Sequence, residues 1–342
     1  METELVNPLS CPGWDRLLSS HQDAVIFHSA AWARVLSKTY GHQPMYLRCS
    51  HNGEVAALIP MMEIRSALTG WRGVCLPFSD FCKPLIFDEV VRDLALKKLP
   101  ELARLRKWKY FELRGGRAPD IFAKPSVTYY GHTLDLRVGA EKLLAKSASP
   151  VRRAIRKAVR SNLSVEAGHE GISEFYRLHV QTRRRHGLPP QPVTFFQNIH
   201  EEIIKPGSGF IVLAKTGGRS VAGAVFFQYG SKAIFKFGAS DQHYQEFRGN
   251  DLVMWGGIER LARAGCEILH LGRTSMENMG LRRFKLAWGT TEERMEYFKF
   301  DVVRNRWIAR RDEAPAFYTA VFGRLPLAVN RMAGTIIYPH LD

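Results

Sequence analysis

An α/β protein of two similar lobes is what this sequence predicts, on three observations. A strand–turn–strand unit occurs twice, each copy is followed by a helix and then a short strand, and the composition can fill a large core. The chain has 342 residues, 45% of them apolar. That length suits one large or two medium domains, and that apolar share argues against disorder.

The first copy runs from Tyr46 to Ile59 and reads as a strand, a tight turn at Asn52-Gly53 and a second strand. Val212 to Val225 has the same plan without a gap, so that Val212 follows Tyr46, and Val221 follows Val55, by 166 residues. A helix near 88–107 then leads into a strand at Lys109–Leu113. In the second half a helix near 250–265 leads into a strand at Glu267–Leu271. A repeat this long implies two copies of one α/β unit rather than a solenoid. Between them the strand Tyr129–Leu136 gives way to Gly139, a helix, and Ser147-Ala-Ser-Pro150, where proline suits a helix start. The expected organisation is therefore a first domain over 1–146, a second over 147–300 opening on a basic helix, and an extension over 301–342. The extension, with Phe317 to Phe322, reads as a covering helix or a membrane-surface contact.

Net charge is +16, which favours anionic partners: nucleic acid, nucleotide-linked substrates or an acidic membrane face. Arg152, Arg153, Arg156, Lys157 and Arg160 crowd one helix whose other face carries Val151, Ala154, Ile155, Ala158 and Val159. That basic face reads as phosphate- or membrane-facing, or as a plain solvated face. Arg183-Arg-Arg-His186 ends another helix, where cations complement the helix dipole. The five cysteines are scattered and form no CxxC pair, which suits a reducing compartment. The longest apolar run, Val55–Met62, is far short of the roughly 20 residues of a spanning helix, and Glu2 and Glu4 do not resemble a signal peptide. A cytoplasmic location follows as an expectation, with peripheral contact at the inner membrane.

Common catalytic signatures are missing: no GxSxG, HExxH, GxxxxGK[ST] or GxGxxG, and no His/Cys pair at metal-ligand spacing. Ser240, Asp241 and His243 adjoin in sequence and read as loop composition, since triad members come from distant segments. Ala233–Ala239 reads as a strand whose polar continuation opens a helix at about Asp251, a ready anion site. Lys285, flanked by Phe284, Leu286 and Trp288, could stabilise negative charge on a carbonyl or phosphate during group transfer. The competing reading is a snorkelling surface lysine.

These residues resemble a family. Phe237-Gly-Ala-Ser240, Asn250-Asp-Leu-Val-Met-Trp255, Ala264-Gly265, Leu271-Gly-Arg-Thr274, Gly280-Leu281, Phe284-Lys285 and Trp288-Gly289 follow the order found in the second domain of FemAB-type peptidyltransferases and related GNAT-like acyltransferases. Ser149–Ala158 resembles the basic helix after the family's first domain. Phe27–Trp32 and Leu76-Pro-Phe-Ser-Asp-Phe81 resemble its N-terminal landmarks. The resemblance implies two tandem GNAT-like domains, each a mixed, mostly antiparallel sheet flanked by helices. It also implies transfer of an acyl or aminoacyl group to an amine on a cell-envelope or exopolysaccharide precursor.

By the resemblance, the family's Phe-Lys pair falls on Phe284 and Lys285, with Lys285 stabilising the oxyanion. Asp80 falls in its Pro-x-x-Asp segment, as a contact to the amine or a base. Arg185, Tyr244, Asn250, Arg273, Arg152 and Arg156 are the expected substrate-binding set. No tightly bound cofactor or metal is implied. The donor is aminoacyl-tRNA or acyl-CoA, and the acceptor an anionic small molecule or a lipid-linked precursor. Two departures stand out. Val35-Leu36 occupies the place of a lysine found shortly after the first tryptophan, and Arg248 and Asn250 replace glycines of the coenzyme A loop. Three functions stay open: an aminoacyl transferase, an acyltransferase using acyl-CoA or acyl carrier protein, and a non-catalytic RNA- or membrane-surface-binding protein.

Overall fold

The computed structural model describes residues 1–309 and 322–342; Phe317–Val321 of the aromatic stretch in the C-terminal extension thus lie outside the described residues. The chain forms two compact units. The first holds Met1–Tyr129 with the described parts of Arg294–Glu313 and Ile337–Asp342. The second holds Tyr130–Glu293 with the described part of Ala314–Ile336.

In the first unit the chain lays down β1 (Glu2–Val6), α1 (Trp14–Ser19), α2 (Ala30–Tyr40), β2 (Gln43–Pro44), β3 (Tyr46–His51) and β4 (Glu54–Ile59). It continues through β5 (Met62–Ser66), β6 (Gly70–Val74), β7 (Leu85–Ile86), α3 (Arg92–Leu105) and β8 (Tyr110–Arg114). The β3–β4 turn is the expected one: Asn52 and Gly53 both take positive φ, 54° and 82°, so that the turn's twist matches its strands. β5 and β6 are antiparallel, while α3 carries the chain over so that β8 returns parallel to β6. Phe27, Trp32, Trp108 and Phe111 are fully buried in this unit.

One buried carboxylate pins α3 to its sheet. Glu63 of β5 accepts two hydrogen bonds from Arg106, just past the end of α3, both at 2.8 Å, and one from Trp108 Nε1 at 2.8 Å. Arg65 adds a further bond at 2.8 Å. Burial works against its charge, but the bonds from Arg106, Trp108 and Arg65 prevail and hold the carboxyl below its ordinary value.

The second unit repeats the plan. Its elements are β9 (Val127–Asp135), α4 (Ala140–Lys146), α5 (Ser149–Arg160), β10 (Ser164–Gly168), α6 (Ile172–Arg185) and α7 (Val193–Ile199). β11 (Gly209–Thr216), β12 (Arg219–Tyr229), β13 (Lys232–Ser240), α8 (Gly249–Arg263), β14 (Ile268–Ser275) and α9 (Met279–Leu286) follow. β15 (Thr291–Asp301) then leads back to the first unit, where β16 (Arg306–Ile308) pairs with it; α10 (Leu327–Ile337) comes last. Strand order in this unit is β10-β11-β12-β13-β14-β9. The β11–β12 hairpin, β13, helix α8 and parallel strand β14 match β3–β4, β6, α3 and β8, which is the repeat read from the sequence.

Two packing details place the functional end of this sheet. α8 crosses β12 closely because Gly257 has no side chain: a Cβ there would stand 2.1 Å from the ring of Phe226. The β13–β14 ladder pairs only from Lys232–Ile268 to Ile234–His270, yet the strands run on to Ser240 and Ser275. Their C-terminal halves are thus not zipped to each other, which frees backbone and side chains between them for other partners.

The α5 stripe is narrower than expected. Val151, Ile155 and Ala158 join the core with Leu252, Ile258 and Trp288, while Val159 is 59% exposed. Pro150 sits in the first turn, as the sequence suggests. α10 inverts the usual amphipathic rule. Its buried residues are Asn330 and Gly334, and a Cβ on Gly334 would lie 1.9 Å from the Pro190 carbonyl oxygen. Val329, Met332 and Ile336 are exposed.

Candidate active site

Asn278 caps α9, its side chain accepting from Leu281 N at 3.0 Å. Lys285, in the last turn, is the only buried residue of that helix, at 3% exposure. The snorkelling alternative is thereby excluded. Its Nζ donates to the carbonyls of Gly272 at 2.8 Å and Arg273 at 3.0 Å, at the distal end of β14. Burying an ammonium is costly unless it is hydrogen-bonded, and these carbonyls supply that compensation. Two successive carbonyls reach one cation because the strand is kinked. Gly272 has φ 70°, a conformation glycine tolerates, and its N–H bonds His270 Nδ1 at 2.9 Å. Phe284 packs at the edge of the core with its ring edge-on to Trp288, centroids 6.3 Å apart. Arg273 lies half-buried beside the carbonyls that hold Lys285.

Behind Lys285 stands a polar cluster that sequence reading missed. Glu292, on β15, takes a forked pair of bonds from Arg282, both at 2.7 Å, and meets His132 Nε2 at 3.1 Å. Arg282 lies over the Tyr130 ring at 4.2 Å. The Arg282 fork keeps the Glu292 carboxyl below its usual value. His132 is wholly buried, and burial followed by the charge of Lys285 pushes its imidazole below 6.5, against the upward pull of Glu292. The only sequence signals were Tyr130 and His132 two apart on a strand, and Arg282 and Lys285 three apart on a helix. Neither spacing names a chemistry.

Three buried polar atoms here have no hydrogen-bond partner among the described residues: His132 Nδ1, Thr274 Oγ1 and Trp288 Nε1. Such atoms are rare enough that each calls for a reason, and a ligand-binding site is one. No group of three or more metal-ligating side chains forms among the described residues.

A second cluster gathers at the C-terminus of β13. Arg185 Nη1 approaches the Ser240 carbonyl at 3.5 Å, and Asn250 Nδ2 donates to Ser240 Oγ at 3.1 Å. Tyr244 lies under the Arg219 guanidinium at 5.6 Å, while Arg219 pairs with Asp241 at 2.9 Å. Thus Arg185, Tyr244 and Asn250 share one neighbourhood. Asp241 caps the turn that follows, accepting from His243 N, as its reading as loop composition implies. Arg248 takes a left-handed φ of 60° just before α8, and its Nε reaches Asp251 at 3.3 Å. Burial lifts the Asp251 carboxyl above its ordinary value.

The remaining candidates are engaged differently. Arg152 closes the C-terminus of α4, donating to Ala145 O at 2.9 Å and to Ser147 O, and Arg156 Nε turns to Arg152 O at 3.3 Å. Asp80 belongs to the first unit, on the loop after β6, where its carbonyl accepts from Tyr297 OH. Arg114 binds under that loop, donating to Glu112 at 2.9 Å and to the Leu76 and Ser79 carbonyls.

Residues 145–286 match the acetyltransferase (GNAT) domain family. No curated protein matches the sequence. Among solved structures the chain is similar to FemX, with a TM-score of 0.66, 15% identity, and coverage of 86% of this chain and 97% of that one. It is similar to a tandem GNAT protein from the clavulanic acid biosynthesis pathway (TM-score 0.58, 11% identity, 88% and 98% covered). It also resembles L-PGS from Bacillus licheniformis (TM-score 0.55, 12% identity, 97% and 99% covered). At these identities the likeness is one of fold. The mixed α/β architecture and the resemblance to FemAB-type transferases read from the sequence are borne out.

Proposed function

We propose that this protein is an acyltransferase that moves an aminoacyl group from an activated ester to an amine on an envelope or exopolysaccharide precursor, with Lys285 stabilising the oxyanion. The buried ammonium at the β14–α9 junction carries this reading. It is a fixed positive charge in a water-poor place, where electrostatic stabilisation of a tetrahedral intermediate is strongest. Arg185, Tyr244 and Asn250 serve the substrate at the end of β13, and Arg273 serves it beside Lys285. The exposed Arg156 contributes basic field, while Arg152 mainly holds α4 to α5.

The α8 entrance favours an aminoacyl ester over coenzyme A. A buried carboxyl group, Asp251, sits in the first turn of α8, and the bulky Arg248 precedes it. A pyrophosphate would need open backbone N–H groups there. Thermal unfolding with acetyl-CoA, a longer acyl-CoA and aminoacyl-tRNA tests this choice. A donor at 100 times its Kd adds about 2.7 kcal/mol, so aminoacyl-tRNA is expected to raise the midpoint and the two thioesters to leave it unmoved. A rise with acetyl-CoA alone would transfer the assignment to the acyl-CoA reading.

A lipid-linked acceptor fits the exposed apolar face of α10, whose Val329, Met332 and Ile336 are 46%, 66% and 62% exposed in a chain of net charge +16. No described helix is long and apolar enough to cross a membrane. Sedimentation with phosphatidylglycerol vesicles is expected to carry the protein down at low salt, and phosphatidylcholine vesicles are not. A double variant, Met332→Asp with Ile336→Asp, is expected to lose most of that binding; unchanged binding would discard α10 as the contact.

A further inference from the structure

The cluster behind Lys285 is built like a proton acceptor. An ionised carboxylate can only accept hydrogen bonds, so the Nε2 of His132, 3.1 Å from Glu292 Oε2, must carry the proton of the neutral ring. The other nitrogen, Nδ1, is then the one with the lone pair. It is buried and has no hydrogen-bond partner among the described residues. The charged and titratable groups around this imidazole are Tyr130 on its own strand, Arg282 and Lys285 from α9, and Glu292 from β15. Arg282 in turn fixes Glu292 by its two 2.7 Å bonds. A buried imidazole oriented through one nitrogen by a carboxylate, with the other left open, is an arrangement suited to general-base work.

We propose that His132 Nδ1 takes the proton from the attacking amine during amide formation, with Glu292 as the positioning residue that fixes its tautomer. The inference rests on the transferase reading above. As the amine nitrogen bonds to the acyl carbon, the carbonyl electron pair moves to oxygen, beside Lys285. The nitrogen's proton passes to Nδ1, and the resulting imidazolium is held by Glu292. Collapse of the intermediate breaks the acyl carbon–oxygen ester bond, and the same proton leaves with the departing hydroxyl. Atoms and charges balance, and no co-reactant is needed. Nδ1 is buried, so the bound substrate must displace part of the cover over His132.

Imidazole 15N NMR of the wild-type protein and of Glu292→Gln reads the tautomer without any substrate. The expected wild-type result is a neutral Nε2–H ring that titrates below 6.5, and in Glu292→Gln a loss of that single tautomer. Rate against pH with aminoacyl-tRNA and a simple amine acceptor reads the role. The wild-type acid limb is expected below pH 6.5, because protonated His132 cannot accept. In Glu292→Gln the limb should move lower still, since the carboxylate that raised the ring's proton affinity is gone. In His132→Gln the plateau should fall by about 10²-fold or more and that limb should vanish. Circular dichroism on each variant checks that it is folded.

A wild-type Nδ1–H ring overturns the inference whatever the reaction is. A folded His132→Gln that keeps the wild-type acid limb overturns it too, since a merely structural histidine would lower the plateau without moving the limb. Absence of wild-type transfer from any donor instead overturns the transferase reading, and the proton role with it. The Nε2–H tautomer would still stand as a measured property of the pair.

Discussion

Replacing Lys285 by methionine is expected to lower turnover by about 10²–10³-fold, the usual effect of deleting one preorganised oxyanion donor, while leaving the protein folded. Methionine matches the length of the lysine stem and fills the same space, so packing under α9 survives. The substitution also removes a buried charge. What it leaves behind is two carbonyls, Gly272 and Arg273, that lose their donor. Losing a donor costs a buried acceptor up to about 1–3 kcal/mol, partly offset by no longer burying the ammonium. A modest fall in Tm with a large fall in kcat is therefore the expected signature, with KM little changed. Lys285→Arg separates charge from position: the guanidinium keeps the charge, but a side chain allowed only 3% exposure cannot hold the larger fork in place. Both variants should be impaired. Full turnover in a folded Lys285→Met would remove Lys285 from the mechanism and the proposed chemistry with it.

The fold was legible because local signals agreed with one another. Asn52-Gly53 and Gly217-Gly218 each mark a tight turn between apolar runs, and such turns demand the positive φ these residues adopt. The 166-residue offset then carried the hairpin of one unit onto the other. Misreadings arose where burial depends on the surroundings. Val159 continued the apolar pattern of α5, yet the helix turns it to solvent. α10 has an apolar sequence, but its sharpest constraint is Gly334, which must have no side chain next to Pro190.

At the site, the sequence located Lys285 by its neighbours and could not reveal that it was buried. The cage for its charge comes from two backbone carbonyls, and a carbonyl leaves no residue-type signature. His132 and Glu292 were beyond reach for a related reason. They are far apart in the chain, on β9 and β15, and only sheet geometry joins them. Arg152 shows a structural use that the sequence did not signal. Its place in a basic run suggested a ligand contact, whereas its guanidinium goes to the carbonyls that end α4, a common use of a cation at a helix C-terminus.

Glu63→Ala is expected to destabilise the first unit by about 3 kcal/mol. The figure lies at the lower end of the range for breaking a buried pair, because Arg106 is 28% exposed and water can partly replace its partner. Trp108 has no such relief. Its ring is 2% exposed, and its Nε1–H would lose the acceptor it meets at 2.8 Å. Since Arg106 and Trp108 lie where α3 passes into β8, the helix loses its anchor to β5 at the same stroke. Glu63→Gln keeps the shape and one acceptor, so its loss should be roughly half as large. The sign of the pH effect follows from the lowered carboxyl. Its stabilisation is complete above the unfolded value of 4.5 and is lost as pH falls through the folded value. Urea denaturation should therefore show wild type losing its advantage over Glu63→Gln as pH drops below about 4.5. A wild-type advantage that stays constant down to pH 2 would show that the charge on Glu63 is not what fastens α3 to its sheet.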